Sequence, residues 1–67
     1  MSFGMKIRSL REAKGMAQAS IDEVFSLMRG TVSNWENGYA LPEEELIDDI
    51  ARYFGVKYRD LADCIPA

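Results

Sequence analysis

The stretch Gln18-Ala19-Ser20-Ile21-Asp22-Glu23-Val24-Phe25-Ser26-Leu27-Met28-Arg29-Gly30-Thr31-Val32-Ser33-Asn34-Trp35-Glu36-Asn37-Gly38 decides how this chain folds. Ile21, Val24 and Phe25 recur at the three- and four-residue intervals that place side chains on one face of an α-helix. Val32 and Trp35 do the same for a second short helix, and Gly38 supplies the left-handed residue on which a helix commonly ends. Between the two there is room only for a tight turn.

Working outward, the same grammar repeats. Phe3, Ile7, Leu10 and Lys14 lie at helical spacing and stop at Gly15; Ile47, Ile50, Ala51 and Phe54 form a further stripe that stops at Gly55. Pro42 suits the first turn of that fourth helix, where its missing N–H is harmless. A fifth short helix is predicted over Tyr58 to Asp63, with Leu61 turned inward. Strand alternation, internal repeats, linkers and low-complexity tracts are absent. The expectation is all-α: one domain over residues 1–67, a compact five-helix bundle. Its core would hold Ile7, Leu10, Met16, Ile21, Val24, Phe25, Val32, Trp35, Ile47, Ile50, Phe54, Val56 and Leu61.

The helix starts read less clearly than the stops. Starts near 18, 29, 43 and 58 would follow Ala17, Met28, Pro42 and Lys57, none of them a Ser, Thr, Asp or Asn cap. Each missing cap costs about 0.5–2 kcal/mol, which predicts a domain of marginal stability. Ser20 or Glu43 is the alternative cap where a start is displaced.

Composition narrows the function. The 67 residues are 48% hydrophobic, enough for one core near the lower size limit for unaided folding. Cys64 is the single cysteine, so no intrachain disulfide is possible, and histidine is absent, so no transition-metal site or metal cofactor is expected. Without histidine, a nucleophile setting or a glycine-rich phosphate loop, no enzyme is expected either, and clustered carboxylates on one exposed helix make no cleft. No apolar run is long enough for a bilayer, and the first residues lack the basic-then-apolar plan of a signal peptide. The expected setting is cytoplasmic, with no membrane partner.

The net charge of −3 argues against a generic polyanion binder. Its distribution is uneven: residues 1–39 carry five bases (Lys6, Arg8, Arg11, Lys14, Arg29) against four acids (Glu12, Asp22, Glu23, Glu36). Residues 40–67 carry three (Arg52, Lys57, Arg59) against seven (Glu43, Glu44, Glu45, Asp48, Asp49, Asp60, Asp63). One face can therefore still meet phosphate.

Two short helices joined by a tight turn, the second closed by glycine, are the skeleton of a helix-turn-helix. Residues 3–61 resemble the lambda-repressor-like (Cro/C1-type, XRE) DNA-binding domains. The resemblance lies in Ile7-Arg8-Ser9-Leu10-Arg11-Glu12-Ala13-Lys14-Gly15, in Gln18, in Thr31-Val32-Ser33-Asn34-Trp35-Glu36-Asn37-Gly38, in Leu41-Pro42, and in Ile50-Ala51-Arg52-Tyr53-Phe54-Gly55-Val56. It implies a helix-turn-helix unit at about 18–38 whose third helix enters the major groove of double-stranded DNA. Its N-terminal residues would reach base edges through Met28, Arg29, Gly30 and Asn34. Arg29 is the best candidate, because its planar fork can donate twice to guanine, and Asn34 can pair with adenine. Gly30, read as lying inside that helix, would cost about 1 kcal/mol against alanine. Gln18, Thr31, Ser33, Asn37 and Tyr39 are the implied phosphate contacts, although for each a local cap or plain surface role is the competing reading.

The resemblance further implies a transcription regulator of repressor type, encoded in bacteria, phage or mobile elements and used at the nucleoid. It would act as a homodimer reading a pseudo-palindromic operator. Its dimer interface would involve Tyr58, Leu61, Cys64 and Ile65 within residues 58–67, unless that apolar tail simply caps the core. The alternative is a protein-interaction module, an antirepressor or regulatory subunit, docking a basic protein partner through the acidic helix 43–54. That acid run reads equally as favourable charge at a helix N-terminus. The chain departs from the family where alanine is common (Asp22), glycine is common (Ser26), a hydroxyl cap is common (Met28) and a base is common (Tyr39). Asp22 is expected beside the contact face, where it would repel phosphate.

Overall fold

A computed structural model describes residues 1–65. Five helices follow one another: α1 (Phe3–Ala13), α2 (Gln18–Val24), α3 (Thr31–Glu36), α4 (Glu44–Phe54) and α5 (Tyr58–Ala62). The described residues contain no strand.

Four of the helices close by one device. An N–H just past the end reaches back to a carbonyl: Met16 to Arg11 (3.1 Å), Leu27 to Asp22 (2.8 Å), Tyr39 to Asn34 (2.9 Å) and Val56 to Ala51 (3.0 Å). The residue before each such donor has positive φ and adds the shorter inner bond of a Schellman motif. That residue is glycine at 15, 38 and 55, as the stop signals predict, but Ser26 at the end of α2, with φ 54°.

The starts differ from expectation at two helices. α3 begins at Thr31 behind Gly30, and α4 at Glu44 behind Glu43. α1 opens on Ser2, whose Oγ accepts the Met5 N–H at 3.2 Å. α5 opens at Lys57, whose N–H donates to Asp60 Oδ2 at 3.1 Å.

The core is built from Phe3, Ile7, Ile21, Val32, Trp35, Ile47, Ile50, Ala51 and Leu61, with Leu10, Met16, Phe25, Phe54 and Val56 half-buried against it. Val24, predicted as core, is 44% exposed, because it is the last residue of α2 and faces outward before the turn. Phe3 and Ala51 take full core positions instead. Phe3 meets Trp35 edge to face, centroids 6.0 Å apart, fastening α1 to α3. Gly4 is what lets them come so near. A β-carbon there would stand 2.4 Å from the Trp35 carbonyl oxygen and 2.9 Å from that of Glu36.

Leu61 is a correction. The helical spacing places it in the core and the family resemblance at a dimer interface; it is fully buried in the core and shows no surface to a second copy. Pro66 and Ala67, the end of the predicted 58–67 contact segment, lie outside the described residues.

Candidate nucleic-acid interface

The segment joining α2 to α3 is where the residues expected to read bases gather. Contrary to the sequence expectation, Met28, Arg29 and Gly30 do not form the first turn of α3. The Met28 carbonyl accepts the Thr31 N–H at 3.1 Å, and Gly30 sits at φ 92°, ψ −3°. That is the third position of a type II turn, which demands positive φ and so favours glycine. Gly30 therefore precedes the helix, and the predicted penalty for a glycine within it does not apply. The Thr31 hydroxyl also donates to the Met28 carbonyl, at 2.6 Å, tightening the same corner. Met28 is 84% exposed and Arg29 is exposed beside it. Of the four candidate base contacts, only Asn34 lies within α3, one turn further on and exposed.

Asp22 is the second correction. It is 4% exposed and does not present a charge beside the contact face. Its Oδ2 accepts the Gly30 N–H at 3.0 Å and its Oδ1 the Val32 N–H at 2.9 Å. A carboxylate on α2 thus does for α3 what an N-cap side chain ordinarily does from the adjacent residue. The apparent lack of a cap before the third helix is met from across the turn. Beside it, an open hollow of about 330 Å³ is lined by Ala19, Asp22, Glu23, Leu27 and Arg29.

The other end of α3 carries a charged cluster. Arg11 Nε donates to Glu36 Oε2 at 2.7 Å and its second terminal nitrogen to Oε1 at 3.0 Å, while the first donates to the Met16 carbonyl at 2.9 Å. The Gln18 amide donates to Glu36 Oε1 at 3.0 Å. The side chains of Arg11 and Glu36 are only 14% and 5% exposed. Burial pushes the Glu36 carboxyl up, but the bonds from Arg11 and Gln18 and the guanidinium charge outweigh it and hold it below the usual carboxylate range. The hydrogen bond to Glu36 in turn raises the Arg11 guanidinium. Gln18, a predicted phosphate contact, is half-buried and keeps one donor on Glu36.

The remaining candidates are dispersed. Ser33 is half-buried and accepts from Asn37 Nδ2 at 3.4 Å, and Asn37 and Tyr39 are exposed past the end of α3. Lys14 stands 5.0 Å over the Tyr53 ring rather than in an ion pair, and Arg8 pairs with Glu12 at 3.5 Å. In the tail, the Tyr58 hydroxyl donates to Glu44 at 3.1 Å, while half-buried Cys64 and Ile65 pack on the core. On α4, Asp48 pairs with Arg52 at 3.1 Å, and Glu45 and Asp49 are exposed, as is Glu43 just before the helix. Among the described residues no group of His, Cys, Asp or Glu could hold a metal ion, and no helix is long and apolar enough to cross a membrane.

Two short helices across a tight turn, with an exposed Arg29 at the turn and an exposed Asn34 on the second helix, define a helix-turn-helix. Comparison with known proteins agrees: a helix-turn-helix family matches residues 7–61, and the chain belongs to that family, of Cro/C1 type. It is 34% identical over 59 residues to antitoxin PezA of Streptococcus pneumoniae serotype 4, covering 88% of this chain and 37% of the antitoxin. It is 31% identical over 61 residues to the HTH-type transcriptional activator BcrR of Enterococcus faecalis, covering 91% of this chain and 30% of the activator. The chain thus spans about a third of the length of either relative. No solved structure matches it significantly.

Proposed function

We propose that this chain is the sequence-specific DNA-binding part of a transcriptional regulator, reading duplex DNA with the Met28–Gly30 turn and α3 in the major groove. The observation that carries the reading is the arrangement of charge around Arg29. The guanidinium is exposed and in no salt bridge among the described residues, whereas the two acids that frame α3, Asp22 and Glu36, are turned inward onto protein partners. A free planar fork at an exposed corner suits guanine O6 and N7. Asn34 follows one turn along, and Gln18, Thr31, Ser33, Asn37 and Tyr39 would reach phosphate from either side. A single unit of this size covers one half-site, so a homodimer on a pseudo-palindromic operator is the expected assembly. Tyr58, Cys64 and Ile65 are the surface residues to contact the second copy. With a net charge of −3, binding to random DNA is weak and its salt dependence shallow.

Selection from random duplex DNA tests this. One enriched half-site, for which Arg29→Ala lowers the preference about tenfold, is the expected result; an unmodified chain that binds no duplex at low salt overturns it. A second reading has its own support. The exposed acids Glu43, before α4, and Glu45 and Asp49, on it, together with the likeness to an antitoxin, suit a module that docks a basic protein partner. Absence of DNA binding at low salt is the outcome that would favour it.

A further inference from the structure

We propose that Asp22 is a positioning residue for base reading: by clamping the backbone on both sides of Arg29, it aims that side chain from α2. This rests on the DNA-binding reading above and assigns its geometry to a residue outside the contact surface.

The segment Leu27–Val32 hangs on this one residue. The Asp22 carbonyl takes the Leu27 N–H at 2.8 Å, closing α2, and its carboxylate takes the Gly30 and Val32 N–H groups at 3.0 and 2.9 Å, opening α3. Between those anchors lies only the Met28–Thr31 turn with Arg29 at its corner. Packing does not hold that corner, since Met28 is exposed and nothing stands within 4 Å of where a Gly30 β-carbon would lie. Its shape comes from hydrogen bonds, and those that tie it back to α2 converge on Asp22. Bidentate recognition needs a guanidinium aimed within a narrow range of angles, so a loosened corner forfeits discrimination before it forfeits contact. Two departures from the family pattern are then one change. The hydroxyl missing at Met28 and the aspartate gained at Asp22 exchange a local cap for a remote one, and α3 starts at Thr31.

The test compares binding to two duplexes of equal length, one enriched from a random pool by the unmodified chain and one scrambled. It uses the unmodified protein, Asp22→Asn, Arg29→Ala and the double variant. The preference for the enriched duplex should fall about tenfold in each single variant and no further in the double, because both act on the same contact. A residue that only stabilises the fold lowers binding to both duplexes by one factor, so an unchanged preference in Asp22→Asn overturns the proposal. Should Asp22→Asn not fold, Gly30→Ala replaces it under the same criterion, since it strains the turn without touching a neighbour. A pool that yields no enriched duplex brings down the DNA reading and this proposal with it. Amide exchange tells that failure apart from a failed clamp. Where Asp22 is the clamp, Gly30 and Val32 lose protection in Asp22→Asn while Tyr39 keeps its own; equal exchange of Gly30 and Val32 in the two proteins overturns it.

Discussion

At its C-terminal end α3 lies directly on α1, with Trp35 against Phe3, the Trp35 and Glu36 carbonyls over Gly4, and the Glu36 carboxylate in the fork of Arg11. At its N-terminal end Val32 is buried in the core, and the exposed turn before it is held by the Asp22 carboxylate. Both ends bury an acid, by different physics. Glu36 is balanced by a formal counter-charge, Asp22 by two backbone dipoles. The first arrangement anchors a helix in a fold, and the second sets the shape of an exposed corner. Substitutions at the C-terminal end should therefore unfold the domain, and those at the N-terminal end should change the turn while sparing most of the fold.

The largest effect is expected from Arg11→Met. It leaves a buried carboxylate with only the Gln18 amide, and removing one partner of a buried pair costs about 3 kcal/mol or more. Urea unfolding followed by the fluorescence of Trp35, the single tryptophan, measures it. The sign with pH distinguishes this from lost packing. In the unmodified protein the Glu36 carboxyl is held below its unfolded value, so its contribution is complete above about pH 4.3 and is lost as pH falls through the folded value. Without Arg11, burial prevails and the folded carboxyl moves up, so protonation relieves the variant. The penalty of Arg11→Met should shrink between pH 7 and pH 4; a constant penalty would mean that the pair is not what holds this end.

Gly4→Ala comes next. Alanine is the better helix former by about 1 kcal/mol, yet its β-carbon would run into backbone, which cannot rotate away. The clash should dominate, with a net loss of about 2 kcal/mol and an altered Trp35 emission. A more stable Gly4→Ala protein would show that α1 and α3 can separate at little cost.

At the other end, Asp22→Ala should cost about 0.5–2 kcal/mol, the range for losing a helix cap, and leave the Trp35 environment native. Loss of the native Trp35 signal would erase the distinction between the two ends.

The contrast between the ends also explains what could be read in advance. The helices, their glycine stops and most of the core follow from local spacing, and local spacing is what a sequence displays. The four candidate base contacts come from the resemblance to Cro/C1-type domains, carried over along a continuous stretch of chain from Met28 to Asn34. The roles of Asp22 and Gly4 could not be read so, because each acts across the fold. Asp22 meets amides eight and ten positions away through a turn, and Gly4 is defined by carbonyls more than thirty residues on. A signal for Asp22 existed in two departures read together, the acid gained at 22 and the hydroxyl absent at 28. Taken singly, the first looks like misplaced charge and the second like a missing cap. Leu61 reads inward from its helical spacing and as a dimer contact from the family resemblance, and the fold upholds the spacing.

The smallest expected effect probes how firmly the turn is imposed. Ser26 holds φ 54° at the closure of α2, where the corresponding positions after α1, α3 and α4 are glycine. A side chain in the left-handed region costs roughly 1 kcal/mol, so Ser26→Gly should stabilise the domain by about that amount, a rise of several degrees in Tm for a domain of this size. Strained backbone persists only where its surroundings over-determine it, and here Asp22 fixes both ends of the segment that follows. In an Asp22→Ala background the loop is released and Ser26 can leave the left-handed region, so the same substitution should gain less. A double-mutant cycle over Asp22 and Ser26 reads the difference directly. Full additivity would mean that Ser26 is strained by the Schellman closure of α2 alone, and that the clamp stops at Gly30.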